Sequence, residues 1–124
     1  MSTFKKFEDI EAWKKARILT NRIYHITRNK EFAKDFSLRD QIRRASISIM
    51  LNIAEGFARQ TDKEFSQFLM YAHGSTAEVQ SALYIAVDQN YITEDIFTEI
   101  YSSAEDISRM LRKLSDYLTN KHEK

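Results

Sequence analysis

The sequence predicts an all-α fold, an antiparallel up-down-up-down four-helix bundle with a left-handed supercoil. The 124 residues include no proline and two glycines, whereas strand-rich domains of this size need many tight turns that use both. Apolar residues recur every three or four positions along four long segments. The connections are short, which favours antiparallel neighbours, and a repeat of about 3.5 residues favours the left-handed supercoil. The length suits one domain over 1–124.

The first helix is predicted over residues 10–28. Acidic residues at its start, Glu8, Asp9 and Glu11, suit the positive end of the helix dipole. A connection is expected at 29–37. The buried stripe predicted for this helix consists of Ala12, Ala16, Leu19, Ile23 and Ile26.

The second helix is predicted over residues 38–58. Ser37 is the predicted N-cap, and Asp40 three residues later gives a weak capping-box pattern. Its stripe contains two polar or small residues among apolar ones, and consists of Leu38, Ile42, Ala45, Ile49, Asn52 and Gly56.

The third helix is predicted over residues 62–89, because Thr61 and Glu64 form a capping box at its start. Gly74 lies inside this helix and predicts close approach of a neighbouring group. The predicted stripe consists of Phe65, Phe68, Leu69, Ala72, Thr76, Val79, Leu83 and Ala86.

The fourth helix is predicted over residues 94–119, with Thr93 as its N-cap. It carries the most regular heptad pattern in the chain. Residues 121–124 are expected to fray. The predicted stripe consists of Phe97, Ile100, Ala104, Ile107, Leu111, Leu114 and Leu118.

The composition excludes several classes of protein. Hydrophobic residues make up 43% and charged residues 30%, which is neither a disordered nor a membrane composition. No apolar run approaches the roughly 20 residues that span a bilayer. The chain has no cysteine, so disulfides and thiolate metal sites are excluded. With no apolar segment near the N-terminus to act as a secretory signal, the expected location is the cytoplasm.

Charge is unevenly distributed, although the net charge is +1. Residues 1–59 contain 13 basic and 7 acidic residues, and residues 60–124 contain 6 and 11. The stretch 60–108 holds nine acidic residues, with Lys63 as its basic residue. Such a polarised chain can bind an anionic partner through its basic part, or bind a copy of itself head to tail.

The sequence predicts no catalytic residue, metal ligand or cofactor, and no small-molecule substrate is indicated. None of the histidines, His25, His73 and His122, follows a glutamate by three residues, as a ferritin-like di-iron site requires. His73 could act as a base beside Ser75. That pair lacks an orienting group and an oxyanion hole, so a solvated or interface histidine is the favoured interpretation.

A polar seam is predicted between the second and third helices. An antiparallel register with the turn near 59–61 places Asn52 opposite a residue near 68 and brings Glu78 close to Arg43 or Arg44. The favoured interpretation is an ion pair that fixes the register. The alternative is a substrate pocket. The seam residues are Asn52, Glu55, Gly56, Gly74, Ser75 and Glu78.

A basic face across the first and second helices is a candidate contact for nucleic acid or for another subunit. Ordinary solvated charge is the alternative, and a real nucleic-acid face would lose affinity steeply with salt. Its residues are Lys14, Lys15, Arg17, Arg22, Arg39, Arg43 and Arg44.

The segment 41–56, with its ending Asn52-Ile53-Ala54-Glu55-Gly56, resembles the signature of the bacterial four-helix bundle proteins encoded in 23S ribosomal RNA intervening sequences. The resemblance extends to segments 9–16, 65–69, 72–78 and 91–92. The sequence is also similar to the accessory variability protein of diversity-generating retroelements. These resemblances imply a homopentameric ring and, for the second, association with reverse transcriptase and nucleic acid.

Two departures from the family pattern bear on these expectations. The family often has proline where Met50 stands and before the second helix, so a straighter second helix is expected here. The chain is also less basic than a dedicated nucleic-acid binder. The leading hypothesis is therefore a non-enzymatic, self-assembling scaffold or accessory factor, and the alternative is an RNA- or DNA-binding protein.

Overall fold

The computed structural model describes residues 4–121, and all its regular secondary structure is helical. A 3₁₀ turn, Phe7–Asp9, precedes helix α1. Of residues 121–124, which are predicted to fray, 122–124 lie outside the described part of the chain, and so does His122. Lys121 is instead the C-cap of the last helix and pairs with Asp62 at 2.9 Å. The helices are α1 (Glu11–Thr27), α2 (Lys30–Lys34), α3 (Phe36–Ala58), α4 (Asp62–Asp88) and α5 (Glu94–Asn120).

The four long helices pack around one apolar core. Every stripe residue predicted for the first helix is buried on α1. On the other long helices the predicted stripes are also buried, apart from four side chains that are only partly covered. These four are Asn52, Phe68, Phe97 and Leu114. Because three- and four-residue spacings keep apolar side chains on one side of a helix, the spacing alone located this core.

The connection predicted at 29–37 is largely helical, which corrects the expectation of a loop. It contains the short helix α2, and Phe32 of α2 is completely buried. The Phe32 ring stacks on Tyr91 from the α4–α5 connection, with 5.0 Å between ring centroids. A helix of five residues is too short to show a repeating apolar pattern, so periodicity could not predict it.

The start of α3 also differs from the prediction. The N-cap is Asp35 instead of Ser37, and its Oδ1 accepts a hydrogen bond from the Leu38 N–H at 3.1 Å. The other carboxylate oxygen of Asp35 accepts a hydrogen bond from the Tyr91 hydroxyl at 2.9 Å. Asp35 therefore both starts α3 and ties it to the α4–α5 connection.

The predicted caps of the last two helices are confirmed. Thr61 accepts a hydrogen bond from the Glu64 N–H at 3.1 Å, and Thr93 accepts one from the Ile96 N–H at 3.2 Å. After α4, Asn90 adopts a left-handed backbone conformation with φ of 64°. The following N–H, of Tyr91, donates to the Ala86 carbonyl at 2.9 Å, which completes a Schellman-type ending.

Each long helix has two long neighbours. Helices α1 and α4 both pack against α3 and α5. Along α3 and α4, Ser48 contacts Ser75, and the backbone at Gly56 lies against Phe65. Along α4 and α5, Ser66 contacts Ser115 and Gln80 contacts Glu105. In both pairs of helices, the residue numbers of the contacts rise along one helix as they fall along its neighbour.

Within residues 4–121, no helix combines the length and apolar character that crossing a lipid bilayer requires.

Candidate interaction surfaces

Gly56 of α3 packs tightly against α4. A Cβ atom placed on it would lie 2.7 Å from the Phe68 Cβ and 3.2 Å from the Phe65 carbonyl oxygen. Both of those atoms belong to or adjoin the backbone of α4, so they cannot move away cheaply. Glycine at this position lets the two helices pack closely, and the aromatic rings fill the space beside it.

Further along the same interface lies a small polar network. The Ser75 hydroxyl donates to the Ser48 Oγ at 3.0 Å, and the Asn52 side-chain amide donates to the same Oγ at 2.9 Å. The Asn52 amide also donates to the Ser48 carbonyl at 2.9 Å. Asn52 and Ser75, two of the predicted seam residues, thus lie at the α3–α4 interface. Ser48 joins them there, although it was not predicted as a seam residue. The available signal was its spacing of four residues before Asn52.

The remaining seam residues lie on the outside of α3 and α4. Glu55 is exposed and pairs with Arg59 on its own helix at 2.9 Å. Gly74 and Glu78 are exposed on α4. The prediction of close approach at Gly74 is wrong, because a Cβ added there would meet nothing within 4 Å. Three of the six predicted seam residues therefore form part of the protein surface.

The ion pair expected between Glu78 and Arg43 or Arg44 does not form within the described residues. Arg43 points to α1, where its Nε donates to the Thr27 Oγ1 at 2.8 Å and its guanidinium lies 4.5 Å from the centre of the Tyr24 ring. Successive residues point about 100° apart on a helix, so Arg43 faces α1 while Ser48 faces α4. The register between α3 and α4 also differs from the expected one. If Asn52 lay opposite residue 68, Ser48 would lie opposite residue 72, but Ser48 contacts Ser75.

The predicted basic face is divided among several sides of the molecule. Lys15 and Arg22 line the groove between α1 and α5, together with Asp106. Arg22 forms an ion pair with Glu99 there, so its charge is compensated within the chain.

The other predicted basic residues lie on α1 and α3. Lys14 and Arg17 are exposed, and the Arg17 guanidinium lies 6.0 Å from the Trp13 ring centre. Arg39 donates to the Ala33 carbonyl at 3.1 Å and to Asp40 at 2.8 Å. That hydrogen bond from Arg39 lowers the pKa of the Asp40 carboxyl. Arg44 is exposed and contacts Gln41 on its own helix at 3.5 Å.

His73 and Ser75 do not share a site. His73 lines a surface groove between α4 and α5 with Arg109, Arg112 and Lys113, whereas Ser75 faces α3. Across residues 4–121, no three histidine or carboxylate side chains gather in a way that could hold a metal ion.

An aromatic cluster lies on the surface of α4 and α5 and was not predicted from the sequence. The rings of Tyr84, Phe97 and Tyr101 contact one another with centroid separations of 4.9 to 5.9 Å. Tyr84 remains 54% exposed. The spacing of four residues between Phe97 and Tyr101 was the available signal, but the sequence could not show that Tyr84 joins them.

The helices and their surfaces define the class: an all-α protein whose long helices pack side by side around one core, with polar, basic and aromatic patches on the outside. The chain belongs to the 23S rRNA-intervening sequence protein family, whose model matches residues 8–113. This confirms the resemblance seen in the sequence.

Among solved structures, the chain is similar to a protein of unknown function from the S23 ribosomal protein family of Bacteroides thetaiotaomicron VPI-5482. The identity is 25% and the TM-score 0.77, over 84% of this chain and 97% of the other. No curated protein matches the sequence. The solved structure shares the fold of this chain, and neither description states an activity.

Proposed function

We propose that this protein is a non-enzymatic, self-assembling four-helix bundle that serves as a homopentameric scaffold or accessory factor. The observation that carries the proposal is the spatial separation of charge. Helices α1 and α3 pack together and come from the basic part of the sequence, while α4 and α5 pack together and contain the acidic stretch. Opposite charges on different sides of one molecule favour contact between unlike surfaces of two copies.

The arrangement proposed for the four long helices is up-down-up-down with a left-handed supercoil. The contacts of α3 with α4 and of α4 with α5 support the antiparallel order, because in each pair the residue numbers rise along one helix as they fall along the other. On α1 and α3 the same order holds, since Thr20 donates to the Ser46 carbonyl and Thr27 accepts from Arg43. The left-handed supercoil is proposed from the repeat of about 3.5 residues.

Contact between unlike surfaces produces a closed ring when the rotation between copies divides a full turn, and a filament when it does not. A pentamer is the assembly that the family resemblance implies. Large apolar side chains are exposed on α1, α3, α4 and α5, and contacts between copies would bury part of this apolar surface. They include Ile18, Phe36, Leu51, Tyr84, Ile85 and Tyr117.

The mass of the native assembly tests the proposal. Light scattering after size-exclusion chromatography at about 10 µM, a concentration suited to ordinary protein affinities, is expected to give five times the 14.6 kDa of one copy. A single-copy mass would contradict self-assembly. A stable assembly of another size would contradict the pentamer and leave self-assembly in place.

Binding of RNA or DNA is the second candidate function. It is favoured by four basic side chains that remain exposed on α1 and α3, namely Lys14, Lys15, Arg17 and Arg44. A gel-shift titration with RNA and DNA at several salt concentrations tests it, because phosphate contacts give an affinity that falls steeply with salt. Absence of a shift at low salt would remove this function.

A further inference from the structure

The aromatic cluster of Tyr84, Phe97 and Tyr101 lies on the surface formed by α4 and α5. Tyr84 packs edge-on against both other rings, at 4.9 Å from Phe97 and 5.9 Å from Tyr101. Phe97 and Tyr101 are each partly buried, and Tyr84 presents about half of its surface to solvent. The three rings of the aromatic cluster therefore pack against one another, and Tyr84 is the ring most exposed to solvent.

Carboxylates surround this cluster. Glu105 lies four residues after Tyr101 and accepts a hydrogen bond from the Gln80 amide at 2.8 Å. Asp88 lies four residues after Tyr84 and is exposed. Residues four apart share one side of a helix, so both acids border the cluster.

Glu94 adds a further exposed acid, three residues before Phe97. The electrostatic influence of Tyr84, burial and the charge of Glu105 raise the pKa of Tyr101. Arg109 offsets part of the negative charge, because it lies 3.6 Å from Glu105 and also pairs with Asp106. The surroundings still hold more acids than bases, which disfavours a polyanion as occupant.

Aromatic rings beside carboxylates are suited to a guanidinium group. The ring faces attract a cation, and a carboxylate can accept two parallel N–H hydrogen bonds from arginine. The aromatic cluster is therefore suited to bind a surface that carries arginine together with an apolar side chain that can pack on the Tyr84 ring.

The chain carries such a surface at the start of α3. Phe36 is 64% exposed, and the Arg39 guanidinium lies 4.8 Å from its ring centre. Arg39 also pairs with Asp40 at 2.8 Å, so the net positive charge of this surface comes from Arg44. Arg44 is exposed two turns further along α3. We call Phe36, Arg39 and Arg44 the arginine corner.

The aromatic cluster lies between α4 and α5, and Tyr84 follows Ser75, the residue of α4 that faces α3, by nine residues. At about 100° per residue, Tyr84 therefore points away from α3 within one copy.

We propose that the aromatic cluster of one copy receives the arginine corner of a second copy. The inference rests on the proposed self-assembly and identifies the two surfaces that meet. Charge complementarity carries it, because the chain supplies both an acidic aromatic cluster and a basic corner with an exposed phenylalanine. The contact joins unlike surfaces, so each copy uses its cluster towards one neighbour and its corner towards the other.

The test measures the dissociation constant of the assembly by dilution, with light scattering and native mass spectrometry. Tyr84→Ala and Arg44→Glu are each expected to raise it about tenfold or more, since aromatic and arginine anchors dominate such contacts. Tyr71→Ala is the matched control, because Tyr71 is a similarly exposed tyrosine, 49% accessible, that lies one helical turn before Ser75, the residue of α4 that contacts α3. Circular dichroism of every variant checks that the helices are intact.

Mixing the two disabled variants provides a sharper outcome. The Arg44→Glu copy keeps its aromatic cluster, and the Tyr84→Ala copy keeps its arginine corner, so one intact contact can form between them. A heterodimer in the mixture, with dissociated species in each separate sample, would support the proposal. Absence of the heterodimer would contradict it.

The outcomes separate this inference from the proposed function. A wild-type protein that stays a single copy contradicts self-assembly and the inference together. A wild-type assembly that Tyr84→Ala leaves unchanged contradicts the inference alone. Loss of assembly in Tyr71→Ala but not in Tyr84→Ala would overturn it in favour of the α3–α4 surface.

Discussion

The two glycines have opposite surroundings. Gly56 packs tightly against α4, and Gly74 is exposed in the middle of α4 with open space where a Cβ would be. Sequence reasoning assigned close packing to Gly74, because a glycine inside a helix usually has a packing reason. Which side of a helix faces its neighbour depends on the tertiary arrangement, and the apolar pattern fixed it for Gly56 but not for Gly74.

Alanine at the two positions is therefore expected to change stability in opposite directions. Gly56→Ala should lower the free energy of unfolding by about 1–3 kcal/mol, because the new Cβ overpacks against Phe68 and Phe65. Gly74→Ala should raise it by up to about 1 kcal/mol, since alanine favours the helix and meets no neighbour. Urea unfolding measures both, and each variant is the other's control. A stabilising Gly56→Ala would contradict the close packing at that position.

Arg43 illustrates a second limit at the residue scale. The sequence indicated that Arg43 or Arg44 would pair across to the third predicted helix, but Arg43 instead joins α1 through Thr27 and Tyr24. Adjacent residues on α3 face different neighbours, so a register shifted by a few residues redirects every polar contact. The presence of a polar contact could be foreseen, and its partner could not.

At the scale of elements, the long helices follow closely from sequence. Helix α4 starts at the predicted residue 62 and ends one residue before the predicted 89, because the Thr61 cap and the Asn90 turn mark its limits chemically. The junction between α2 and α3 was not predicted from the sequence. Its structure depends on the long-range contacts of Asp35 with Tyr91 and of Phe32 with Tyr91, which no local pattern encodes.

The Asp35–Tyr91 hydrogen bond makes the stability of the junction between α2 and α3 sensitive to alkaline pH. The hydrogen bond to Asp35, together with burial, raises the pKa of Tyr91, so the folded state keeps the phenol protonated after the unfolded chain has lost that proton. The stabilisation is complete below the ordinary tyrosine pKa of about 10 and is lost as pH rises through the folded value.

Tyr91→Phe should therefore lose less thermal stability than wild type between about pH 9 and about pH 11. Asp35→Asn keeps a capping side chain but removes the charge, and it should reduce the pH dependence in the same direction. Melting curves at several pH values measure the effect, with pH 7 as the reference. Parallel pH profiles for Tyr91→Phe and wild type would contradict the assignment.

At the scale of the whole molecule, the uneven charge of the sequence becomes an uneven charge in space. This happens because helices close in sequence are also neighbours, so the basic α1 and α3 share one side and the acidic stretch follows α4 into α5. Some of the charge is compensated inside the chain, as in the ion pair of Arg22 with Glu99. The sequence could indicate the polarity, but not that Arg22 is already occupied while Arg44 remains available.

The absence of cysteine allows the proposed up-down-up-down arrangement to be tested with introduced disulfides. The hydroxyl oxygens of Ser48 and Ser75 lie 3.0 Å apart, and those of Ser66 and Ser115 lie 2.5 Å apart. Replacing either pair with cysteine should give a disulfide within one chain under mild oxidation. For the first pair, closing a loop between residues separated by 27 positions should raise the free energy of unfolding by a net value of about 2 kcal/mol after loss of the serine hydrogen bonds.

The control for these disulfides is the pair Ser48→Cys with Ser115→Cys. These residues lie on α3 and α5, which are both neighbours of α4, on the sides that face it. The up-down-up-down arrangement places α3 and α5 diagonally opposite, so this pair should not close within one chain. Thiol titration and denaturing electrophoresis distinguish the outcomes. A disulfide in the control pair, or failure of both matched pairs, would contradict the arrangement. The Ser48–Ser75 pair requires only that α3 lie beside α4, whereas Ser66 near the start of α4 meets Ser115 near the end of α5 because those two helices run antiparallel.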